Sequence, residues 1–182
     1  VWKSLQFKDE VVRDIEIKYQ EIFNAPTIGI GIRLGDFIKH GDFYQIDPDW
    51  YISALLSQPF WSNYNVVIFS DDIEMAKEIF KEYNFFYAEP NGTHTHADNF
   101  SHYHKDASEQ FILGTMMDNW IIGNSTFSWF QAWIAEQNSL HSTCQTKCKV
   151  IHSGKVFSDT GNMKHVNTEH YYCRNWIKHE TI

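Results

Sequence analysis

Residues 120–134 constrain the fold more than any other part of the sequence, because they predict a strand that runs directly into a helix. Residues 120–122 are a short apolar run that Gly123 ends. Three side chains typical of helix N-caps follow: Asn124, Ser125 and Thr126. Apolar residues then recur at helical spacing. Such a helix start presents unpaired backbone N–H groups and a positive dipole to an anion, although a purely structural capped helix fits this segment equally well.

A second strand, predicted at residues 27–33, ends in an arginine. Isoleucines at every second position mark the strand, and Gly35 with Asp36 marks the turn after it. Open α/β sheets bind ligands at the carboxyl ends of their strands, where Arg33 lies. Its planar guanidinium suits two phosphate oxygens at once.

A third strand, predicted at residues 66–70, is followed by Asp71 and Asp72. Asp71 with Glu74 fits a capping box, so Asp71 is interpreted as a helix cap. Acids after a strand also hold ribose hydroxyls or base edges in nucleotide sites, and this second interpretation stays open. Together, the arginine, the acid pair and the hydroxyl cluster predict a site for a nucleoside diphosphate.

Strands and helices alternate along the chain, which predicts an α/β fold with a Rossmann-like parallel sheet. The 182 residues fit one domain, 1–182. Helices are predicted at 7–23, 47–56, 71–83, from Asp106 through Met117, and after residue 123. Strands are predicted at 27–33, 66–70, 85–88, 120–122 and 149–152.

The motifs GIRLGDF, FSDDIE and IIGNSTFSWFQAWI, in this order, resemble glycosyltransferase family eleven, the inverting α-1,2-fucosyltransferases that use GDP-fucose. Residues 155–157 and the NWIK at 175–178 resemble that family's C-terminal end. The resemblance implies the nucleotide-sugar-binding half of a GT-B type enzyme. It also implies transfer of a sugar, L-fucose, from a GDP-sugar to a glycan hydroxyl with inversion, without metal or cofactor.

The same resemblance assigns the donor-binding residues. Arg33 is expected to bind the β-phosphate, with Asp71 and Asp72 near guanine and ribose. Four residues at the helix start are expected to line the diphosphate: Asn124, Ser125, Thr126 and Phe127.

The loop after the arginine supplies the other site residues. Asp36 is the nearest motif carboxylate and is the candidate general base, although a turn residue in this position also has a structural role. His40, Asp42 and Tyr44 are predicted on the acceptor side, because they follow the donor-binding turn on a loop.

Two substitutions and one missing segment depart from the family pattern, usually written HxRxGD. Gly31 replaces the histidine, and Leu34 replaces a second arginine. A Gly-rich segment of the type GGLGNQMFQYA, expected ahead of this motif, is not found. The chain is therefore expected to be the donor-binding part of a two-lobed enzyme, as a fragment or as a shortened family member. The alternative function is a non-catalytic module that binds a nucleotide sugar or a glycan.

The net charge and the cysteine content indicate which binding partners and which cellular compartment to expect for the protein. The net charge of −8 argues against nucleic acid as a partner. No apolar run approaches the roughly 20 residues that span a membrane. The three cysteines are expected to be free thiols, which favours the cytoplasm. A Golgi lumen location follows instead if an upstream anchor was removed.

Two groups of residues admit a second interpretation. A histidine cluster suits either a solvated loop or a zinc site, and a loop without metal is expected: His94, His96, His102 and His104. A group of aromatic residues suits either the core or stacking on sugars, and the core is expected for most of them: Trp50, Tyr51, Phe60, Trp61 and Tyr64.

Overall fold

The computed structural model describes residues 7–35, 40–89, 100–141 and 147–180 and shows a six-stranded parallel sheet flanked by helices. The strands are β1 (Thr27–Ile32), β2 (Asn65–Ser70), β3 (Phe86–Tyr87), β4 (Asn119–Ile122), β5 (Lys149–His152) and β6 (Ile177–Lys178). The helices are α1 (Asp9–Lys18), α2 (Pro48–Leu56), α3 (Ile73–Ile79), α4 (Phe100–Gly114) and α5 (Thr126–His141). The predicted α/β fold with a Rossmann-like sheet is confirmed.

The strand order β3-β2-β1-β4-β5-β6 determines where a ligand can bind. The chain builds the sheet outwards from β1 in one direction and then from β4 in the other, so the order reverses between these two strands. In open parallel sheets the crevice at this switch point, outside the carboxyl ends of the strands, is the usual ligand site. Arg33 directly follows β1, and Gly123 directly follows β4.

Each face of the sheet has its own apolar core, because successive side chains of a strand point to opposite faces. The isoleucines of β1 face α2 and α3, and Ile30 packs with Leu55 and Ala76. The opposite face packs against α1, α4 and α5. On that face β1 carries Gly29 and Gly31 rather than isoleucines, which lets side chains of β4 and α5 approach the strand backbone.

Three helices differ from their predicted bounds by several residues, and the one predicted at 71–83 spans only Ile73–Ile79. The helix predicted at 7–23 ends at Lys18. Ile22, which was predicted on the apolar face of this helix, lies in a short 3-10 turn and is still buried. The helix expected to start at Asp106 begins at Phe100, so Asp106 is not its N-cap. Neither proline nor glycine interrupts residues 100–113, and Gly114 is the last helical residue.

The aromatic group belongs mostly to the core, as expected. Trp50 and Tyr51 are buried, and the side chains of Trp61 and Tyr64 pack partly against the same core. Phe60 is the exception, because it is 77% exposed. Its backbone adopts a left-handed conformation with φ 60° after the end of α2.

The cysteines were expected to be free thiols, and no segment was expected to span a membrane. Cys148 and Cys173 are free thiols there, while Cys144 lies outside the described residues. None of the helices described combines the length and the apolarity that crossing a membrane requires.

Candidate functional site

A cleft of about 390 Å³ lies at the carboxyl end of β1, on the side of the sheet covered by α2 and α3. It is open to solvent, and it is bordered by the residues that follow β1 and β4, by the loop before α2 and by α3. Its lining residues are Arg33, Leu34, Tyr44, Gln45, Ile46, Asp47, Pro48, Tyr51, Met75, Ile79 and Asn124. The cleft therefore lies at the switch point between β1 and β4, and it contains the predicted residues Arg33, Tyr44 and Asn124.

Arg33 is held at the cleft by an acid from the neighbouring strand. The Asp71 Oδ2 atom accepts from Arg33 Nε at 3.1 Å. The same carboxylate accepts from the backbone N–H groups of Leu34 and Gly35, at 2.9 and 3.0 Å. The Asp71 side chain is only 16% exposed and that of Arg33 is 29% exposed. Because Asp71 fixes both the arginine and its loop, Arg33 is presented to the cleft in a defined orientation.

The predicted capping role of Asp71 is wrong, because the helix cap is the next residue. The Asp72 side chain accepts from Met75 N–H at 3.0 Å and is the N-cap of α3. A capping box starting at Asp71 would need a helix beginning one residue earlier, but the first helical residue is Ile73. Asp71 and Asp72 thus have separate structural partners, and their contact with guanine or ribose stays a prediction.

Asn124 connects three separate parts of the cleft wall. Its amide nitrogen donates to the carbonyl oxygens of Tyr44 and Val156, both at 2.9 Å. Its own carbonyl oxygen accepts from the Tyr171 hydroxyl at 3.3 Å. With only 5% of its surface exposed, Asn124 is buried by these partners. Its side chain therefore holds the loop before α2 against the C-terminal segment, and it does not cap α5.

The start of α5 lies directly after Asn124. The Ser125 carbonyl oxygen accepts from Trp129 N–H at 3.0 Å, and the helix starts at Thr126, the last of the three predicted cap-type residues. Ser125 is buried, Thr126 is exposed, and the Phe127 ring packs edge-on against Phe111 of α4. Phe127 can therefore contact an anion at this helix start through its backbone but not through its ring.

Of the three predicted acceptor-side residues, Tyr44 alone is among the residues that line the cleft. Its ring lies under the Lys155 ammonium, 4.6 Å from the ring centre. The Asp42 side chain accepts from the Asn162 backbone N–H, and the Asp42 carbonyl oxygen accepts from the Ser158 backbone N–H. His40 is exposed and meets Phe43 edge-on. The predicted base Asp36 lies outside the described residues.

The C-terminal segment contributes to the site in ways that the sequence did not reveal. Tyr172 donates to the carbonyl oxygen of Gly123 at 3.0 Å. The NWIK motif is anchored to α5, because the side-chain N–H groups of Asn175 and Trp176 both donate to the buried Glu136 carboxylate. The bonded residues are 39 and 40 positions apart in the sequence, so no local sequence pattern indicates these contacts.

Within the described part of the chain, no three His, Cys, Asp or Glu residues lie close enough together to hold a metal ion. Of the predicted histidine cluster, His94 and His96 lie outside the described residues, and the side chains of His102 and His104 are not described. The expectation that no metal takes part stays a prediction.

Comparison with known proteins identifies the family. A family model described as Glycosyl transferase family 11 matches residues 3–177. The chain belongs to glycosyl transferase family 11. The match covers every described cleft residue of this family 11 chain, and it confirms the resemblance that the three motifs indicated.

A curated relative of this family 11 chain is the O-antigen biosynthesis glycosyltransferase WbnK of Escherichia coli. The two sequences are 29% identical over 116 residues, which are 61% of this chain and 35% of the relative. The chain thus spans about a third of the length of the curated relative that it matches.

The packing around Gly31 explains why this family 11 chain departs from the HxRxGD pattern at that position. A Cβ at residue 31 would overlap the Ser128 side chain of α5. The second departure, Leu34, is buried in the apolar core with 6% exposure, while its backbone N–H donates to Asp71. Both substitutions therefore fit the packing of this chain.

Proposed function

We propose that the chain is the donor-binding part of a glycosyltransferase that transfers a sugar, L-fucose, from a GDP-sugar to a glycan hydroxyl with inversion. The observation that carries this proposal is the position of Arg33. It lies at the switch-point cleft, oriented by Asp71, close to the strand end from which α5 begins. Family membership makes the ligand of such a site a nucleotide sugar, and the FSDDIE and NSTFSW motifs favour GDP as its nucleotide.

Arg33 and the start of α5 both supply positive potential to a diphosphate. A guanidinium binds two phosphate oxygens in a fork, and the first backbone N–H groups of a helix have no partner within the helix. Backbone contacts from Thr126 and Phe127 and the Arg33 side chain would then stabilise the charge that grows on GDP as it leaves. Since these groups neutralise the leaving group, transfer needs neither a metal ion nor a cofactor.

Inversion at the anomeric carbon follows from a single displacement. The acceptor hydroxyl oxygen forms a bond to the anomeric carbon as the bond from that carbon to the diphosphate oxygen breaks. The hydroxyl proton passes to a general base, and the electron pair of the broken bond leaves with GDP. Asp36 is the motif carboxylate proposed for the base.

The acceptor is proposed to approach along the loop of residues 40–44. Tyr44 lines the cleft, and Asp42 keeps the loop attached to residues 158–162 through its backbone contacts. In this arrangement Tyr44 and the exposed His40 are the side chains offered to a carbohydrate, while Asp42 fixes their position.

A non-catalytic module that binds a nucleotide sugar is the second candidate. It is favoured by Gly31, because the histidine of the family pattern is replaced by a residue without a side chain in this chain. Both candidates require donor binding through Arg33, and only the first requires turnover.

Titration calorimetry with GDP tests donor binding, using wild type, Arg33→Ala and the control Arg13→Ala. Arg13 is exposed on α1, away from the cleft, so its removal should leave the affinity unchanged. Charged hydrogen bonds contribute about 1.5–3 kcal/mol each, so loss of the two-pronged Arg33 contact should weaken binding by about two decades or more. GDP affinity that is equal in wild type and Arg33→Ala would refute the site.

Release of GDP from GDP-fucose on addition of a glycan acceptor separates the two candidates. The transferase predicts acceptor-dependent release, and the module predicts binding without turnover. The assay uses the full-length protein, because acceptor-dependent release requires every residue that binds the acceptor.

A further inference from the structure

The hydroxyl of Tyr51 makes no hydrogen bond to any residue that the structure describes, although the side chain is almost fully buried. Tyr51 lies on α2, is 2% exposed and lines the switch-point cleft. Its ring packs edge-on against Trp50, and this contact gives the ring a partner but leaves the hydroxyl without one in the described residues. The hydroxyl oxygen is not among the fully enclosed unpaired atoms, so it is accessible from the cleft that Tyr51 lines. A hydroxyl without a partner in the described residues can donate to a group that binds in the cleft.

The position of this hydroxyl next to Gly123 indicates which part of a ligand it meets. A methyl group on Gly123 would overlap the Tyr51 hydroxyl, so the two are in direct contact. Gly123 lies between the end of β4 and the first turn of α5, where the unpaired backbone N–H groups of the helix begin. A diphosphate bound at this helix start lies next to the Tyr51 hydroxyl.

The ionisation state of Tyr51 suits an anionic partner. Burial, with a smaller contribution from Tyr172, raises the pKa of the Tyr51 hydroxyl far above its ordinary value. The group therefore keeps its proton and stays neutral. A neutral O–H donates to a phosphate oxygen without charge repulsion, and such charge-assisted hydrogen bonds are stronger than neutral ones.

Tyr172 provides an internal comparison on the other side of the same glycine. Its hydroxyl donates to the Gly123 carbonyl oxygen at 3.0 Å, and burial raises the pKa of this hydroxyl too. The two tyrosines thus flank one backbone position, but among the described residues only the Tyr172 hydroxyl has a hydrogen-bond partner. A structural role accounts for the Tyr172 hydroxyl and leaves that of Tyr51 unexplained.

We propose that the Tyr51 hydroxyl donates a hydrogen bond to an oxygen of the donor's diphosphate. This inference rests on the proposed function and adds a third contact to those of Arg33 and the start of α5. The binding residue comes from α2, which no sequence motif connected with the nucleotide.

Conservative removal of each hydroxyl tests the proposal. GDP and inorganic pyrophosphate are the two probes, GDP measured by calorimetry and pyrophosphate by its competition with GDP. Tyr51→Phe should bind both ligands about tenfold more weakly, with a melting temperature equal to or above that of wild type, because no protein partner is lost. The matched variant Tyr172→Phe should melt at a lower temperature, since it leaves the Gly123 carbonyl without that donor.

Unchanged affinity of Tyr51→Phe for GDP would overturn the inference while the proposed function stands. A loss confined to GDP, with pyrophosphate unaffected, would also overturn it, because the hydroxyl would then contact the nucleoside. A loss of affinity accompanied by a fall in melting temperature as large as that of Tyr172→Phe would assign Tyr51 a structural role. Failure of wild type to bind GDP would instead refute the proposed function together with this inference.

Discussion

Asp71 holds Arg33 at the end of β1 through the 3.1 Å pair between its Oδ2 atom and Arg33 Nε. The same carboxylate accepts the N–H groups of the next two residues, so one side chain fixes both the arginine and its turn. The pair forms because β1 and β2 are adjacent and parallel, which places the residues after both strands at one edge of the sheet. The acid therefore positions Arg33 and the turn that follows it.

Because Asp71 and Asp72 have different partners, we expect substitution of Asp71 to lower mainly GDP affinity and substitution of Asp72 to lower mainly stability. Asp71→Asn removes the charge that orients Arg33, so GDP affinity should fall by about tenfold, together with some loss of stability. Asp72→Ala removes the N-cap of α3 and should lower the free energy of unfolding by about 1 kcal/mol. The cap leads us to replace the expected contact of Asp72 with guanine or ribose by a structural role, so GDP affinity of Asp72→Ala should stay within about twofold of wild type.

Calorimetry with GDP and thermal unfolding without ligand measure the two effects in the same samples. If Asp72→Ala loses GDP affinity and Asp71→Asn keeps it, Asp72 contacts the nucleotide and the Arg33–Asp71 pair is only structural.

The close approach of α5 to β1 predicts that Gly31 tolerates no side chain. Gly31→Ala would place a methyl group into Ser128 and should destabilise the protein by about 1–3 kcal/mol. Ser128→Gly should be destabilising alone, by about 1 kcal/mol for glycine in a helix interior. The double variant should be more stable than the sum of the single effects predicts, because the overlap is relieved.

Denaturant unfolding of the four proteins measures this coupling as a double-mutant cycle. Additive effects would show that Gly31→Ala acts through something other than the Ser128 contact.

The fold and the arginine could be predicted because their signals are local. Alternating isoleucines identify β1, a glycine ends β4, and the position of Arg33 after a strand follows directly from the sequence. The cap of α3 was assigned to the wrong acid because Asp71 and Asp72 are both suitable caps, and only the start of the helix at Ile73 separates them.

The contacts made by the remaining cleft residues could not be predicted, because their partners lie far away in the sequence. Asn124 has the composition of a helix cap, yet its amide pairs with backbone groups 80 and 32 residues away. Tyr51 has the pattern of a core residue and is buried like one. Its unpaired hydroxyl becomes visible only when α2 is placed beside the start of α5.

Chelation tests whether the arginine and the helix start suffice for the diphosphate. We expect EDTA to leave GDP affinity unchanged, because Arg33 and the backbone N–H groups supply the positive potential that a metal ion would otherwise provide. Calorimetry before and after dialysis against EDTA measures this. Loss of affinity on chelation and its recovery with Mn²⁺ would show that carboxylates such as Asp72 hold a metal ion at the site.

His152, at the carboxyl end of β5, predicts a loss of stability in mild acid. The residue is 7% exposed, its Nδ1 atom accepts from Gly154 N–H at 3.1 Å, and its ring stacks on Tyr172 at 3.9 Å. Burial, assisted by the charge of Lys178, lowers the pKa of His152 from 6.5 to about 4. Between these two values the unfolded chain binds a proton that the folded protein does not bind.

Stability must therefore fall as the pH decreases from 6.5 towards 4, and this residue should contribute a loss of about 2 kcal/mol by pH 5. The variant His152→Gln should be less stable at pH 7, because it loses the ring stacking, but its stability should depend less on pH. The difference between the two proteins isolates His152, since the other histidines titrate in both. Denaturant unfolding at pH 7 and pH 5 measures this difference, and equal pH dependence in wild type and variant would show that His152 protonates in the folded state.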